Sequence, residues 1–136
     1  MNNTNCNCEC CSCSYIPEII CRILELQGQD YNNDLGCDRP FLGPNNNNTS
    51  YNTRPIQLYN SYTAQPWSFN YTTSAGATAA SNTFRVENME QCSVTVRILA
   101  GDGSTDSPYT NTNQFATINL CSVGAIRCFA DQYIAL

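Results

Sequence analysis

The chain has 136 residues, a net charge of −5 and ten cysteines. Charged residues make up 12%, about half the usual share, and neutral polar residues replace them, with 18 Asn and 13 Thr. There is no His and no Lys, which excludes Ser-His-Asp and Cys-His catalysis, imidazole acid–base chemistry and His metal ligation; six scattered Arg do not make a nucleic-acid surface.

No apolar run is long enough to predict a membrane helix, and the polar start Met1-Asn-Asn-Thr-Asn-Cys6 does not read as a signal peptide. Residues 1–14 hold no large apolar side chain and five cysteines: Cys6, Cys8, Cys10, Cys11 and Cys13. Such a segment cannot offset its ordering entropy by burial, so it is expected as a flexible arm, ordered by cross-links or by a partner. Residues 15–28 predict a helix. Ile16, Ile19, Ile20, Ile23 and Leu24 recur at helical spacing, Pro17 suits the first turn and Gly28 the position past the end. Glu18 and Arg22 are spaced to pair. Cys21 falls on the polar face, open to something outside the domain; a partly buried helix cysteine is the alternative.

Residues 29–53 read as an exposed connection, punctuated by Gly36-Cys-Asp-Arg-Pro40, Leu42-Gly-Pro44 and the Asn45–Asn48 tract. Cys37, beside Gly36, is expected as an exposed thiol. From residue 54 the period becomes two. Ile56/Leu58, Trp67/Phe69/Tyr71, Phe84/Val86, Cys92/Val94/Val96/Ile98 and Ala116/Ile118/Leu120 each alternate with polar residues, and Ala125–Phe129 is a last apolar run. Turns are expected at Ser74–Gly76, Asn88–Gln91 and Gly101–Pro108. Short alternating strands with regular turns predict a mainly β domain over 15–136, a jelly-roll-like antiparallel sandwich preceded by one short helix.

The arm cluster admits three readings: a thiolate metal site, an internally stapled knot, or a connector locked to a neighbouring subunit by disulfides. It lacks the paired C-x₂-C spacing of structural zinc sites, and the side chains of adjacent Cys10 and Cys11 diverge. A flexible tail with surplus thiols fits the connector best. Cys92, in phase with Val94, Val96 and Ile98, is expected in the core, as a buried thiol or in a disulfide, and Cys128 is assigned to the core or to an internal bridge, with nearby Cys121 as one partner. Cys121 ends an apolar run. Asp102, Asp106, Glu87 and Glu90 sit in or beside turns, and no carboxylate pair is marked as a catalytic dyad. Exposed aromatics such as Tyr59, Tyr62 or Trp67 leave carbohydrate binding as a further alternative.

Several segments resemble one family. These are the helix Ile19–Gln27, Arg39-Pro-Phe-Leu-Gly43, Asn52-Thr-Arg-Pro-Ile-Gln-Leu-Tyr59, Thr83-Phe-Arg-Val-Glu87 running into Cys92-Ser-Val, and Ala125-Ile-Arg-Cys128. In this order they resemble the cysteine-rich spore coat and exosporium proteins of the CotY, CotZ and ExsY group, over about residues 16 to 131. The arm with Cys10-Cys11-x-Cys13 is similar to the connector of spore-appendage fibre subunits. This sequence departs from the coat group in having no His, fewer cysteines near Cys128 and more in the arm.

The resemblance implies a self-assembling structural protein rather than an enzyme, without cofactor. It would be made in the mother cell without a signal peptide and oxidised at the spore surface. Its partners would be further copies of itself and other spore-surface proteins, with no nucleic acid and no membrane. Cys10, Cys11 and Cys13 are expected to bond to Cys21, Cys37 and Cys121 of a neighbour. Cys6 and Cys8 are further arm thiols.

Overall fold

The computed structural model describes residues 16–27, 37, 51–101 and 108–136. The arm expected over 1–14, with its five cysteines, and most of the 29–53 connection lie outside the described residues.

The helix α1 spans Ile16–Leu26 and buries Ile16, Pro17, Ile20, Ile23 and Leu26. This stripe is narrower than the sequence pattern, and Ile19 and Leu24 are only partly buried against the core. Pro17 is tolerated because an amide in the first turn has no intrahelical acceptor to lose. Arg22 pairs with Glu25 at 3.6 Å, one turn on, in place of the expected spacing to Glu18.

Seven strands follow: β1 (Ile56–Asn60), β2 (Phe69–Thr72), β3 (Thr78–Ser81), β4 (Phe84–Glu90), β5 (Ser93–Gly101), β6 (Tyr109–Asn119) and β7 (Val123–Cys128). All pairings are antiparallel. Five strands form one sheet in the order β6-β5-β4-β1-β7, and β2 and β3 form a separate hairpin. Alternate residues, among them Ile56, Leu58, Phe84, Val86, Val94 and Val96, join Ile20 and Ile23 of α1 in one buried cluster. Trp67, Phe69 and Tyr71 pack against it, with the Phe69 ring edge-on to Phe84 at 5.8 Å. The fold is mainly β and antiparallel, as expected. Its two sheets are unequal, however. The paired four-stranded sheets of a jelly roll do not occur among the described residues, because α1 and a two-stranded hairpin cover the apolar face.

Two bulges keep the polar and apolar faces in phase. The β4–β5 register passes from Val86↔Val96 to Asn88↔Thr95, so the extra residue Glu87 stays on the polar face while Met89 remains buried. In β6 the register passes from Arg97↔Phe115 to Leu99↔Asn111, and Asn113 takes a left-handed φ of 59°. Asn tolerates that conformation, and here the Asn113 amide donates to the Asn111 side chain at 2.7 Å.

Candidate functional site: cysteines, clasp and sheet edges

The Arg54 side chain is 2% exposed and that of Asp131 5%. Their pair is bidentate: Arg54 Nε donates to Asp131 Oδ1 at 2.7 Å and Nη2 to Oδ2 at 3.0 Å. Arg54 Nη1 donates to the Cys37 carbonyl at 2.7 Å. The Arg54 amide donates to Gln27 Oε1 at 3.2 Å, and Gln27 Nε2 donates to the Val86 carbonyl at 2.8 Å. Pro55 biases Arg54 towards extended backbone, which suits the lead-in to β1. After β7 the chain runs back along that lead-in. The Phe129 amide donates to Pro55 (2.9 Å), and Thr53 and Gln132 exchange backbone bonds (3.0 and 3.1 Å). One buried residue, through its amide and its guanidinium, thus ties together the end of α1, the loop residue Cys37, the start of β1 and the C-terminal tail.

A disulfide joins Cys37 to Cys128, 91 residues apart, with Cα atoms separated by 5.6 Å. Cys37, expected as an acceptor for a neighbouring chain, is therefore engaged within its own chain. Cys128 closes β7 opposite Ile56 and packs against the core. Cys21, Cys92 and Cys121 are disulfide-bonded as well. Cys21 is half-buried on α1 and touches the core cluster, which is the partly buried placement of the two readings open to it. Cys92 lies in the turn before β5 and is only half-buried; its inward phase fails because the strand begins at Ser93. Cys121 is exposed in the short 3-10 turn Leu120–Ser122, where its amide donates to Asn119 Oδ1 at 3.0 Å. No group of three or more His, Cys, Asp or Glu residues placed to share a metal ion occurs among the described residues.

The outer face of the large sheet is polar. Glu87 Oε2 accepts from Arg85 Nη1 at 2.6 Å and Arg97 Nε at 2.8 Å. Burial alone would raise the Glu87 pKa, but the bonds from Arg97 and Arg85 outweigh it and hold the carboxyl below its ordinary value. Arg97 also covers the ring of half-exposed Phe115 at 4.6 Å. The sheet ends at β6 on one side and β7 on the other. β6 carries no charged residue over its 11 positions, and β7 carries only Arg127.

Of the aromatics considered for carbohydrate, Tyr62 is 85% exposed, whereas Trp67 packs against the core with its indole N–H buried. An open groove of about 340 Å³ lies between β2 and β6, lined by Tyr71, Thr72, Thr73, Thr110, Asn111 and Thr112 among others. Much of its polar lining is already committed. Thr112 Oγ1 donates to the Ile98 carbonyl at 2.7 Å, and Asn111 Oδ1 accepts from Arg97 at 3.0 Å.

The cysteines are legible in the sequence, and the clasp is not. Arg54, Asp131 and Gln27 are remote in sequence. Their only signal was an arginine before a proline at the mouth of a core strand, in a chain poor in cations.

No curated protein and no solved structure matches the chain. The family model described as spore coat protein Z matches residues 2–131, nearly the whole chain. The resemblance read from the Ile19–Gln27, Asn52–Tyr59 and Ala125–Cys128 segments is thereby established, and the chain belongs to the spore coat protein Z family, with the structural role at the spore surface that this membership carries.

Proposed function

We propose that the protein is a self-assembling subunit of an ordered spore-surface layer, built by non-covalent contacts and then locked by disulfides between chains. The observation that carries this reading is the pair of sheet edges. β6 and β7 end one sheet and hold a single charged residue between them. Natural edge strands are usually guarded by charge, and here little opposes edge-to-edge contact. A contact between different surfaces of successive copies propagates into an open array wherever its rotation does not close a ring.

Locking falls to the thiols of the arm, Cys10, Cys11 and Cys13, with Cys21 and Cys121 of a neighbour as acceptors. Both acceptors are already bridged in the single chain. Joining two chains is then an exchange: an arm thiolate attacks one sulfur of the bridge, a new bond forms between chains, and the displaced sulfur leaves as thiolate, with no net oxidation.

The test is a Cys10/Cys11/Cys13→Ser variant on denaturing gels. It is expected to assemble initially but to give only single chains without reductant. Reductant-sensitive covalent oligomers of native order in this variant would overturn the connector role.

A further inference from the structure

The clasp and the Cys37–Cys128 bridge meet at one residue. Arg54 holds the Cys37 carbonyl through Nη1 (2.7 Å), and Cys128 pairs with Ile56, two residues beyond Arg54 on the same lead-in strand. Arg54 is also bonded to Asp131 and Gln27. These bonds run between nitrogen and oxygen and do not depend on the bridge. Arg54, so fixed, holds the Cys37 carbonyl next to the lead-in strand whose Ile56 pairs with Cys128.

We infer that Arg54 is a positioning residue for oxidation: it presents Cys37 to Cys128, so that this bridge closes ahead of competing pairings among the ten cysteines. The inference stands apart from the assembly reading, since it concerns one chain. Without such help, closing a 91-residue separation carries the entropy cost of a long loop, and nearer thiols compete. Arginine suits the task because its planar fork can meet both carboxylate oxygens and a carbonyl together, which an ammonium cannot.

The chemistry is thiol–disulfide exchange with a small disulfide such as oxidised glutathione. One protein thiolate attacks it, forming a mixed disulfide and releasing glutathione thiolate. The second protein thiolate attacks the protein sulfur of that bond and releases the second glutathione. Two protein thiols are oxidised, one glutathione disulfide is reduced to two glutathione thiols, and the protein protons pass to the leaving thiolates. The second step is intramolecular, so its rate reports the effective concentration of one cysteine at the other.

The experiment follows full-length reduced protein in a glutathione redox buffer, quenched by alkylation and mapped by mass spectrometry. Wild type, Arg54→Lys and Asp131→Asn are compared, each first checked in reductant for native circular dichroism and cooperative unfolding. In wild type, Cys37–Cys128 is expected to be the first native pair, with an effective concentration roughly 100-fold or more above its value in concentrated urea. A folded variant is expected to close it about tenfold or more slowly, with other pairings appearing earlier. A folded variant that closes the bridge at the wild-type rate and order would overturn the inference. If neither variant folds in reductant, the wild-type comparison decides, and equal effective concentrations in buffer and in urea would overturn it.

Discussion

At the scale of single residues, two side chains test how the polar face and the turns are held. Glu87 receives hydrogen bonds from two guanidinium groups, and its folded pKa lies below the ordinary 4.5. A depressed carboxylate pKa adds stability above its unfolded value, and that stability is lost as the pH falls through the folded value. Glu87→Gln is therefore expected to cost about 1–2 kcal/mol at neutral pH, with the difference shrinking towards zero below about pH 4. Urea denaturation across that range measures it, and a difference independent of pH would contradict the assignment. Gln91 has a φ of 54° in the two-residue turn between Glu90 and its partner Ser93. A left-handed conformation costs a non-glycine residue about 1 kcal/mol or more, so Gln91→Gly is expected to stabilise the fold by about 0.5–1 kcal/mol. A lower midpoint of thermal unfolding would show that the side chain has a packing role.

At the scale of elements, the clasp is the main structural device. Removing the carboxylate with Asp131→Ala takes the bidentate acceptor away from the buried Arg54, and about 3–5 kcal/mol of stability is expected to go. Denaturant unfolding of the oxidised protein measures this, and a loss below about 1 kcal/mol would mean that Arg54 finds water or another acceptor. These bonds also show where a sequence stops being legible. Helix α1 and strands β1, β4 and β5 were readable because each buries one face, so burial imprints a period of 3.6 or 2 on the residues. Strand β3, Thr78–Ser81, has no large apolar residue to carry a period and is defined by pairing with β2. The first half of β6 is mostly polar, and residues 109–114 carried no period that assigned them to a strand. The Cys37–Cys128 bridge and the Arg54–Asp131 pair join residues 91 and 77 apart, and only the assembled sheet brings them together. Cysteine type was visible in the sequence, but connectivity was not.

At the scale of the whole molecule, the low charge that opened the sequence reading becomes a property of the sheet edges. If β6 pairs with an edge of another copy, a charge placed on it must weaken assembly without unfolding the subunit. Thr117 is exposed on β6, and its hydroxyl lies 3.4 Å from that of Thr95. Thr117→Lys is expected to lower the extent of ordered assembly severalfold while changing single-chain stability by less than about 0.5 kcal/mol. Unchanged assembly by light scattering would move the contact away from this edge. The central claim, an ordered array closed by disulfides, is tested most directly by electron microscopy of the purified protein, with matched denaturing gels run with and without reductant. The account predicts regular sheets or fibres whose bands collapse to a single chain only on reduction. A monodisperse monomer under both conditions would contradict it.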